Sequence, residues 1–123
     1  MNEFVENMKR RTKMIGVSMI KLLNALPKNL VNYRVLNQIV GSSTSIGANY
    51  RAACRAKSTA DFINKLKIVE EETDETMYWI EVLNESDLVP ESKTKDLYKE
   101  LNEILSVVVA SINTSKLKLK KKD

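Results

Sequence analysis

The most regular pattern in the chain is a heptad-like spacing of apolar and small residues between residues 62 and 83. Its positions alternate steps of four and three, and they are Phe62, Leu66, Val69, Thr73, Thr76, Ile80 and Leu83. This spacing places all of these side chains on one face of an α-helix. Ser58 is a favourable N-cap, and Asp61 follows it by three residues, as in a capping box. The pattern therefore predicts a long amphipathic helix whose apolar face must be covered by other helices.

Three further segments show helical spacing of apolar residues. The first is predicted from Glu3 to Leu26 and is ended by Pro27, since proline breaks the hydrogen-bond ladder of a helix. The second begins near Asn29, a favourable N-cap, and the last has Pro90 at its first position. The residues of these segments that we expect in the core are Phe4, Met8, Ile15, Met19, Leu22, Leu26, Leu30, Val31, Val35, Ile39, Ile46, Leu97, Leu101, Ile104, Val108 and Ile112.

Residues 41–47, with the sequence GSSTSIG, are the weakest part of the second helix, because glycine, serine and threonine are poor or mediocre helix formers. We nevertheless interpret this segment as helical. Gly41, Ser45, Ala48 and Ala52 lie at i, i+4, i+7 and i+11, so they form one stripe of small side chains that would let a neighbouring helix approach closely. The competing interpretation is a three-helix bundle with a loop at residues 41–47.

Four helices joined by short connections predict an all-α fold, an antiparallel up-down-up-down four-helix bundle. A length of 123 residues suits one such domain. We expect the bundle to comprise residues 1–115 and to be followed by a basic C-terminal tail at residues 116–123.

The formal net charge of +4 conceals two halves of opposite sign. Residues 1–57 hold ten Lys or Arg and two acidic residues, a charge of +8, whereas residues 58–115 hold five basic and thirteen acidic residues, a charge of −8. The tail adds five lysines and one aspartate. Halves of opposite charge predict complementary surfaces that meet, either within one bundle or between subunits.

The composition excludes several kinds of protein. Histidine is absent, which excludes serine–histidine and cysteine–histidine catalysis and a histidine-bearing zinc site. The single cysteine, Cys54, has no internal disulfide partner, and we expect it to be a structural thiol although Arg51 and Arg55 lie nearby. No apolar run approaches the roughly 20 residues of a membrane span, and the N-terminus lacks the order of a signal peptide. We therefore expect a cytoplasmic protein without a membrane partner.

The dense carboxylate group at residues 70–75 is the one feature that resembles a metal site. Glu71 and Glu75 lie one turn apart on the predicted helix, as di-iron carboxylates do. Those sites also use histidine, which this chain lacks, and charge runs usually form an exposed face. We therefore expect no metal, no cofactor and no catalytic residue, and we keep a small metal-dependent enzyme only as an alternative.

Four short motifs between residues 45 and 79 occur in an order typical of one family. They are Ser45–Asn49 (SIGAN), Arg55–Ser58 (RAKS), Asp61–Phe62 and Glu75–Trp79 (ETMYW). This stretch resembles the signature region of the four-helix-bundle proteins encoded within 23S rRNA intervening sequences. The chain departs from the pattern after SIGAN, where Tyr50–Ala53 replaces an isoleucine-alanine-glutamate-glycine run. The resemblance therefore supports no role for that glutamate here.

The resemblance implies a homo-oligomer, commonly of five subunits, and no enzyme. One branch of the family comprises the accessory proteins of diversity-generating retroelements, in which a basic bundle partners a reverse transcriptase and its nucleic acid. RNA or DNA, a reverse transcriptase or another protein, and further copies of the chain are therefore the partners that the resemblance implies.

Two sets of residues are candidates for these contacts. Basic residues that share a face or lie in the tail suit phosphate binding, and aromatic and charged residues suit a subunit interface. The alternative is an assembly without a nucleic-acid role, whose basic half serves subunit pairing. The predicted nucleic-acid contacts are Arg51, Arg55, Lys57, Lys116, Lys118, Lys120, Lys121 and Lys122, and the predicted interface residues are Tyr78, Trp79, Glu75, Arg10 and Arg11.

Overall fold

A computed structural model describes residues 2–122, apart from the side chain of Lys122, and within them it contains four α-helices. Each helix packs on the next, and the first and last helices meet along a less extensive seam. The predicted all-α, up-down-up-down four-helix bundle is confirmed. The three-helix alternative is wrong, because the second helix is continuous through residues 41–47. The helices are α1 (Glu3–Leu23), α2 (Leu30–Ala53), α3 (Thr59–Glu85) and α4 (Glu91–Lys122).

The predicted starts of α2 and α3 are confirmed by their capping bonds, whereas α4 begins at Glu91, one residue after the predicted first position at Pro90. The side chain of Asn29 accepts a hydrogen bond from the backbone N–H of Asn32 at 2.9 Å, and the hydroxyl of Ser58 accepts one from the N–H of Asp61 at 3.1 Å. Asp61 in turn accepts the N–H of Lys57 at 3.1 Å, one residue before the N-cap position that a standard capping box would use. These bonds satisfy amide groups that a helix start leaves without a partner.

The first helix ends at Leu23, three residues before the predicted end at Leu26. Pro27 disfavours helical conformation in the residue before it, so the chain must leave the helix in this region. The side-chain amide of Asn32 donates to the carbonyl oxygen of Pro27 at 2.9 Å and ties the connection to the start of α2.

The weak segment at residues 41–47 stays helical because Ser42, Ser43 and Ile46 are buried in the bundle. Thr44 donates to the carbonyl of Val40 and Ser45 donates to that of Gly41, both at 2.6 Å. Such bonds satisfy the hydroxyl groups but do not stabilise the helix. Inside the bundle, the hydroxyl of Thr76 on α3 lies 3.0 Å from that of Ser42, which links α2 to α3.

The core runs along the bundle axis, and most of the predicted positions are confirmed. Six of the seven heptad positions of α3 are buried, and the seventh, Phe62, is half-buried against the core. Phe4, Leu30 and Val31 are 50%, 79% and 71% exposed, so their predicted burial is wrong. Because Gly16 lies opposite Thr44 in the antiparallel pair, the first turn of α2 extends beyond the end of α1 and has no helix there to cover it.

Candidate functional site: a basic groove, a basic end and an acidic ridge

The first candidate site is a groove between α1 and α2, where two glycines bring the helices together. A Cβ added at Gly47 would lie 2.9 Å from the Cα of Lys13, and one added at Gly16 would lie 3.2 Å from the Cγ2 of Thr44. The prediction that Gly41 belongs to a stripe of close helix packing is wrong, because a Cβ added at Gly41 would meet nothing within 4 Å. The sequence pattern could not distinguish a glycine under a neighbouring backbone from a glycine facing solvent.

The walls of this groove are basic, and we call it the basic groove. It encloses a volume of about 770 Å³ over a floor of small residues that includes Gly16, Gly47 and Ala48. Its uncharged end contains Val17 and the half-exposed Ile20, and its one acidic residue is Glu6. The cationic side chains of the groove are Lys9, Arg10, Lys13, Arg51 and Arg55.

Most of these cations have no carboxylate partner within the part of the chain that the structure describes. Among the described residues, the ion pairs shorter than 4.0 Å join Lys9 to Glu6, Lys65 to Asp61, and Arg11 to Glu100 and Glu103. The other four cations of the basic groove, and the acids at residues 70–75, take part in none of these pairs. For Arg10 and Lys13 the reason is geometric, since α1 and α3 are diagonal in the bundle and not adjacent. Arg51 lies on α2, which is adjacent to α3, but Arg51 and Arg55 line the groove toward α1.

The predicted nucleic-acid contacts lie in two places. Arg51 and Arg55 line the basic groove, whereas Lys57 and Lys118 line a separate pocket of about 450 Å³ where the ends of all four helices meet. We call the second surface the basic end. It comprises Lys57 and the tail lysines Lys116, Lys118, Lys120 and Lys121.

The predicted tail continues α4 without a break through Lys122. At 1.5 Å per residue, the 32 residues of α4 span about 48 Å and the 21 residues of α1 about 31 Å. Leu119 is partly buried against the core, while Leu117 points to solvent and is 63% exposed. The division into a bundle and a tail at residue 115 stays a prediction, and the side chain of Lys122 lies outside the described part.

Cys54 lies in the pocket of the basic end, next to Tyr50. Burial raises the pKa of the Cys54 thiol, and the nearby Lys9 and a hydrogen bond with Tyr50 offset this only in part. Burial, followed by the proximity of Cys54, raises the pKa of Tyr50 to about 12. A thiol with a raised pKa is protonated at neutral pH and is a poor nucleophile, which supports the structural role predicted for Cys54.

The exposed side of α3 forms an acidic ridge, which we define by Ile68, Glu71, Glu75 and Tyr78. Ile68 is 40% and Tyr78 is 57% exposed, and the ring of Tyr78 meets that of Trp79 edge to face with centroids 5.2 Å apart. The indole nitrogen of Trp79 is buried and has no hydrogen-bond acceptor among the described residues. Tyr78 and Glu75 are therefore available for an interface, whereas Trp79 supports Tyr78 from the side.

Arg10 and Arg11, the predicted interface residues on α1, have different surroundings. Arg10 is exposed in the basic groove and donates to the side-chain oxygen of Asn7 at 2.7 Å. Arg11 points to the other side of α1 and binds Glu100 on α4. Pairing of Arg11 with α4 was missed, because sequence spacing does not reveal which charges meet across a seam.

The carboxylates of the acidic ridge repel the neighbouring carboxylate of Glu72. The pKa of Glu72 is raised, first by partial burial and then by the charges of Glu75 and Glu71. Over residues 2–122, no group of three or more Asp, Glu, Cys or His residues is arranged to hold a metal ion. The helices of the described part include none that is long and apolar enough to cross a bilayer.

The fold and its surfaces define a four-helix bundle protein with a basic groove, a basic end and an acidic ridge. The chain belongs to the 23S rRNA intervening sequence protein family. The model of that family, described as 23S rRNA-intervening sequence protein, matches residues 7–110. The resemblance found in the SIGAN-to-ETMYW region is thereby confirmed over most of the bundle.

A solved structure supports the same assignment. The chain is similar to the crystal structure of a protein with unknown function from the S23 ribosomal protein family of Bacteroides thetaiotaomicron VPI-5482. The two share 33% sequence identity with a TM-score of 0.78, and the match covers 89% of this chain and 97% of the other. No curated protein matches the chain.

Proposed function

We propose that the protein is a non-enzymatic subunit of a homo-oligomer, a ring of five, that acts as an accessory protein for RNA or DNA. The observation that carries the proposal is the separation of charge on one bundle. The cations of the basic groove and the basic end lie on other parts of the surface than the carboxylates of α3, and apart from Lys9 the groove cations lack an ionic partner within the described chain. Exposed charge of this kind favours contact with other molecules.

The proposed oligomer is supported by the different positions of the two charged faces. A contact between a basic face and an acidic face of identical subunits is heterologous. Each subunit therefore binds one neighbour with its basic face and another with its acidic face. Repeating such a contact closes a ring when the rotation per subunit permits it. The ring of five is what resemblance to the family implies.

The nucleic-acid role is supported by the lysines of the basic end. Lys116, Lys118, Lys120 and Lys121 are carried on one helix without an acidic residue among them. Lysines on a rigid helix suit sequence-independent contact with phosphates. The resemblance to retroelement accessory proteins makes a reverse transcriptase a candidate protein partner as well.

Light scattering after size-exclusion chromatography tests the oligomer. We expect a mass of about five times the 14.0 kDa of one chain. A mass of one chain at micromolar concentration would refute the homo-oligomer, and a different multiple would refute only the number five.

Anisotropy of a labelled single-stranded RNA across a salt series tests the nucleic-acid role. We expect the log of the binding constant to fall with log salt by about 0.7 per neutralised phosphate. The slope should flatten when Lys116, Lys118, Lys120 and Lys121 are changed to glutamine. A matched control changes the exposed α4 lysines Lys95 and Lys99 to glutamine, and these should not alter the slope.

The second candidate function is a structural or protein-interaction assembly without a nucleic-acid role. It is favoured by the close balance between the charge of +8 on residues 1–57 and −8 on residues 58–115. Absence of RNA and DNA binding near physiological salt, with an oligomer present, would select this candidate.

A further inference from the structure

We infer that the basic groove of one subunit binds the acidic ridge of a second copy of the chain, which leaves the lysines of the basic end for nucleic acid. The inference rests on the proposed homo-oligomer and names the two surfaces that make it. It also separates Arg51 and Arg55 from the lysines with which the sequence grouped them.

The spacing of residues on the two surfaces is the same. Along the α1 wall of the groove, Arg10, Lys13, Val17 and Ile20 lie at i, i+3, i+7 and i+10. The acidic ridge has an equal spacing at Ile68, Glu71, Glu75 and Tyr78. Each set covers ten residue steps, or about 15 Å of helix at 1.5 Å per residue. Two rows of equal length and helical pitch can lie side by side without a change in either helix.

The residue types of the two rows are also complementary when the ridge helix of the second copy runs in the same direction as α1 and is displaced along α1 by one turn. In this register Glu75 lies beside Lys13, and Tyr78 lies against Val17 and the 48% exposed side chain of Ile20. The contact thus buries apolar surface at one end and joins opposite charges at the other. Aromatic residues buried next to such a rim are common anchors of protein interfaces.

The second wall of the groove strengthens the charged part of the contact. In the antiparallel α1–α2 pair, Gly47 lies at the level of Lys13, so Arg51 lies close to the level of Arg10. Glu71 of the ridge would therefore meet one arginine from each wall. Carboxylate–guanidinium pairs form charge-assisted hydrogen bonds that fix orientation as well as adding energy.

The floor of the groove lets the ridge approach closely. Gly47 and Ala48 provide little or no side chain, and Thr44 bends its hydroxyl back to the carbonyl of Val40 at 2.6 Å. Long side chains at these positions would hold a neighbouring helix away from the walls. A shallow floor between cationic walls therefore suits a helical ridge that carries acidic side chains.

Charge exchange between the two surfaces tests the inference. A groove variant carries Lys13→Glu and Arg51→Glu, a ridge variant carries Glu71→Lys and Glu75→Lys, and a third protein carries all four changes. We expect the groove and ridge variants to dissociate at concentrations at least tenfold above that of the wild type, and the fourfold variant to recover most of the wild-type mass. The matched control, Lys95→Glu with Lys99→Glu, should keep that mass.

Circular dichroism checks that each variant is folded, and Glu71→Gln with Glu75→Gln provides a milder ridge variant if charge reversal unfolds the bundle. Wild-type mass in the folded groove and ridge variants would overturn the inference. Loss of RNA binding by a groove variant that stays oligomeric would also overturn it, since the groove would then hold nucleic acid. A monomeric wild type would instead refute the proposed function itself.

Discussion

Arg11 on α1 and Glu100 on α4 form a two-point ion pair across the seam that closes the bundle. The guanidinium donates from Nε to Oε2 at 2.8 Å and from Nη2 to Oε1 at 2.6 Å, and Glu103 lies 3.6 Å away on the next turn of α4. Because α1 and α4 share less packing than the other neighbouring helices, this pair contributes a larger part of the contact there. The Arg11 hydrogen bonds lower the pKa of Glu100.

Replacing Glu100 with glutamine should lower the free energy of unfolding by about 1 kcal/mol at pH 7, a value that allows for partial exposure of the pair. The folded pKa of Glu100 is lowered, so its stabilisation is present above the unfolded pKa and is lost as pH falls through the folded pKa. The difference between wild type and variant should therefore shrink in acid. Urea denaturation at several pH values measures it, and the exposed Glu103→Gln should have a smaller effect.

Gly47→Ala should destabilise the bundle by about 2 kcal/mol, because the new Cβ would lie 2.9 Å from the backbone of Lys13, which has little room to move. Gly41→Ala is its matched control. Its Cβ would meet nothing within 4 Å, and alanine favours the helix by about 0.5–1 kcal/mol. Chemical denaturation should thus give opposite signs for two identical changes in one helix. Equal effects would contradict the close α1–α2 contact.

Thr76→Val should destabilise the bundle by about 1 kcal/mol, because it removes the hydroxyl that lies 3.0 Å from Ser42 and leaves that buried hydroxyl with fewer partners. Thr114→Val makes the same chemical change at an exposed position of α4 and should leave the free energy of unfolding nearly unchanged. Urea denaturation measures the difference. A Thr76 variant as stable as the wild type would show that the Thr76–Ser42 hydrogen bond contributes nothing to the free energy of unfolding.

Glu72→Gln should stabilise the protein at pH 7. The folded pKa of Glu72 is raised above 4.5 by partial burial and by Glu75 and Glu71, so the favourable contribution of its protonated form is lost as pH rises through the folded pKa. A neutral glutamine avoids that loss, and its advantage should disappear below the unfolded pKa. Thermal unfolding at pH 7 and in acid measures both effects, with the exposed Glu85→Gln as control. A gain that persists in acid would point to a cause other than charge.

The elements of the fold could be predicted because their signals are local. The heptad spacing of α3 and the Ser58 cap lie within a few turns of one another, and a helix responds to such neighbours directly. The segment at residues 41–47 was also predicted as helix, although its propensity is poor. That helix is stabilised by burial of Ser42, Ser43 and Ile46, so its prediction relied on a packing argument and not on propensity.

The errors occurred where the answer depended on a distant part of the chain. Leu30 and Val31 have apolar side chains but lie beyond the end of α1, so nothing covers them. The small-residue stripe was placed at Gly41, whereas the close contact is made by Gly16 and Gly47. Burial near the end of a helix and close contacts at a glycine depend on where the partner helix lies. The spacing of residues along one helix does not contain that information.

The sequence by itself determined four amphipathic helices, their caps and an opposite charge on the two halves of the chain, because each is a property of neighbouring residues. Only the tertiary structure decided that Arg51 and Arg55 line a groove with α1, that Lys57 and Lys118 line a separate pocket, and that Arg11 binds Glu100. The physical reason is that helix periodicity fixes which residues share a face, whereas packing of the apolar faces decides which helices are adjacent and which are diagonal.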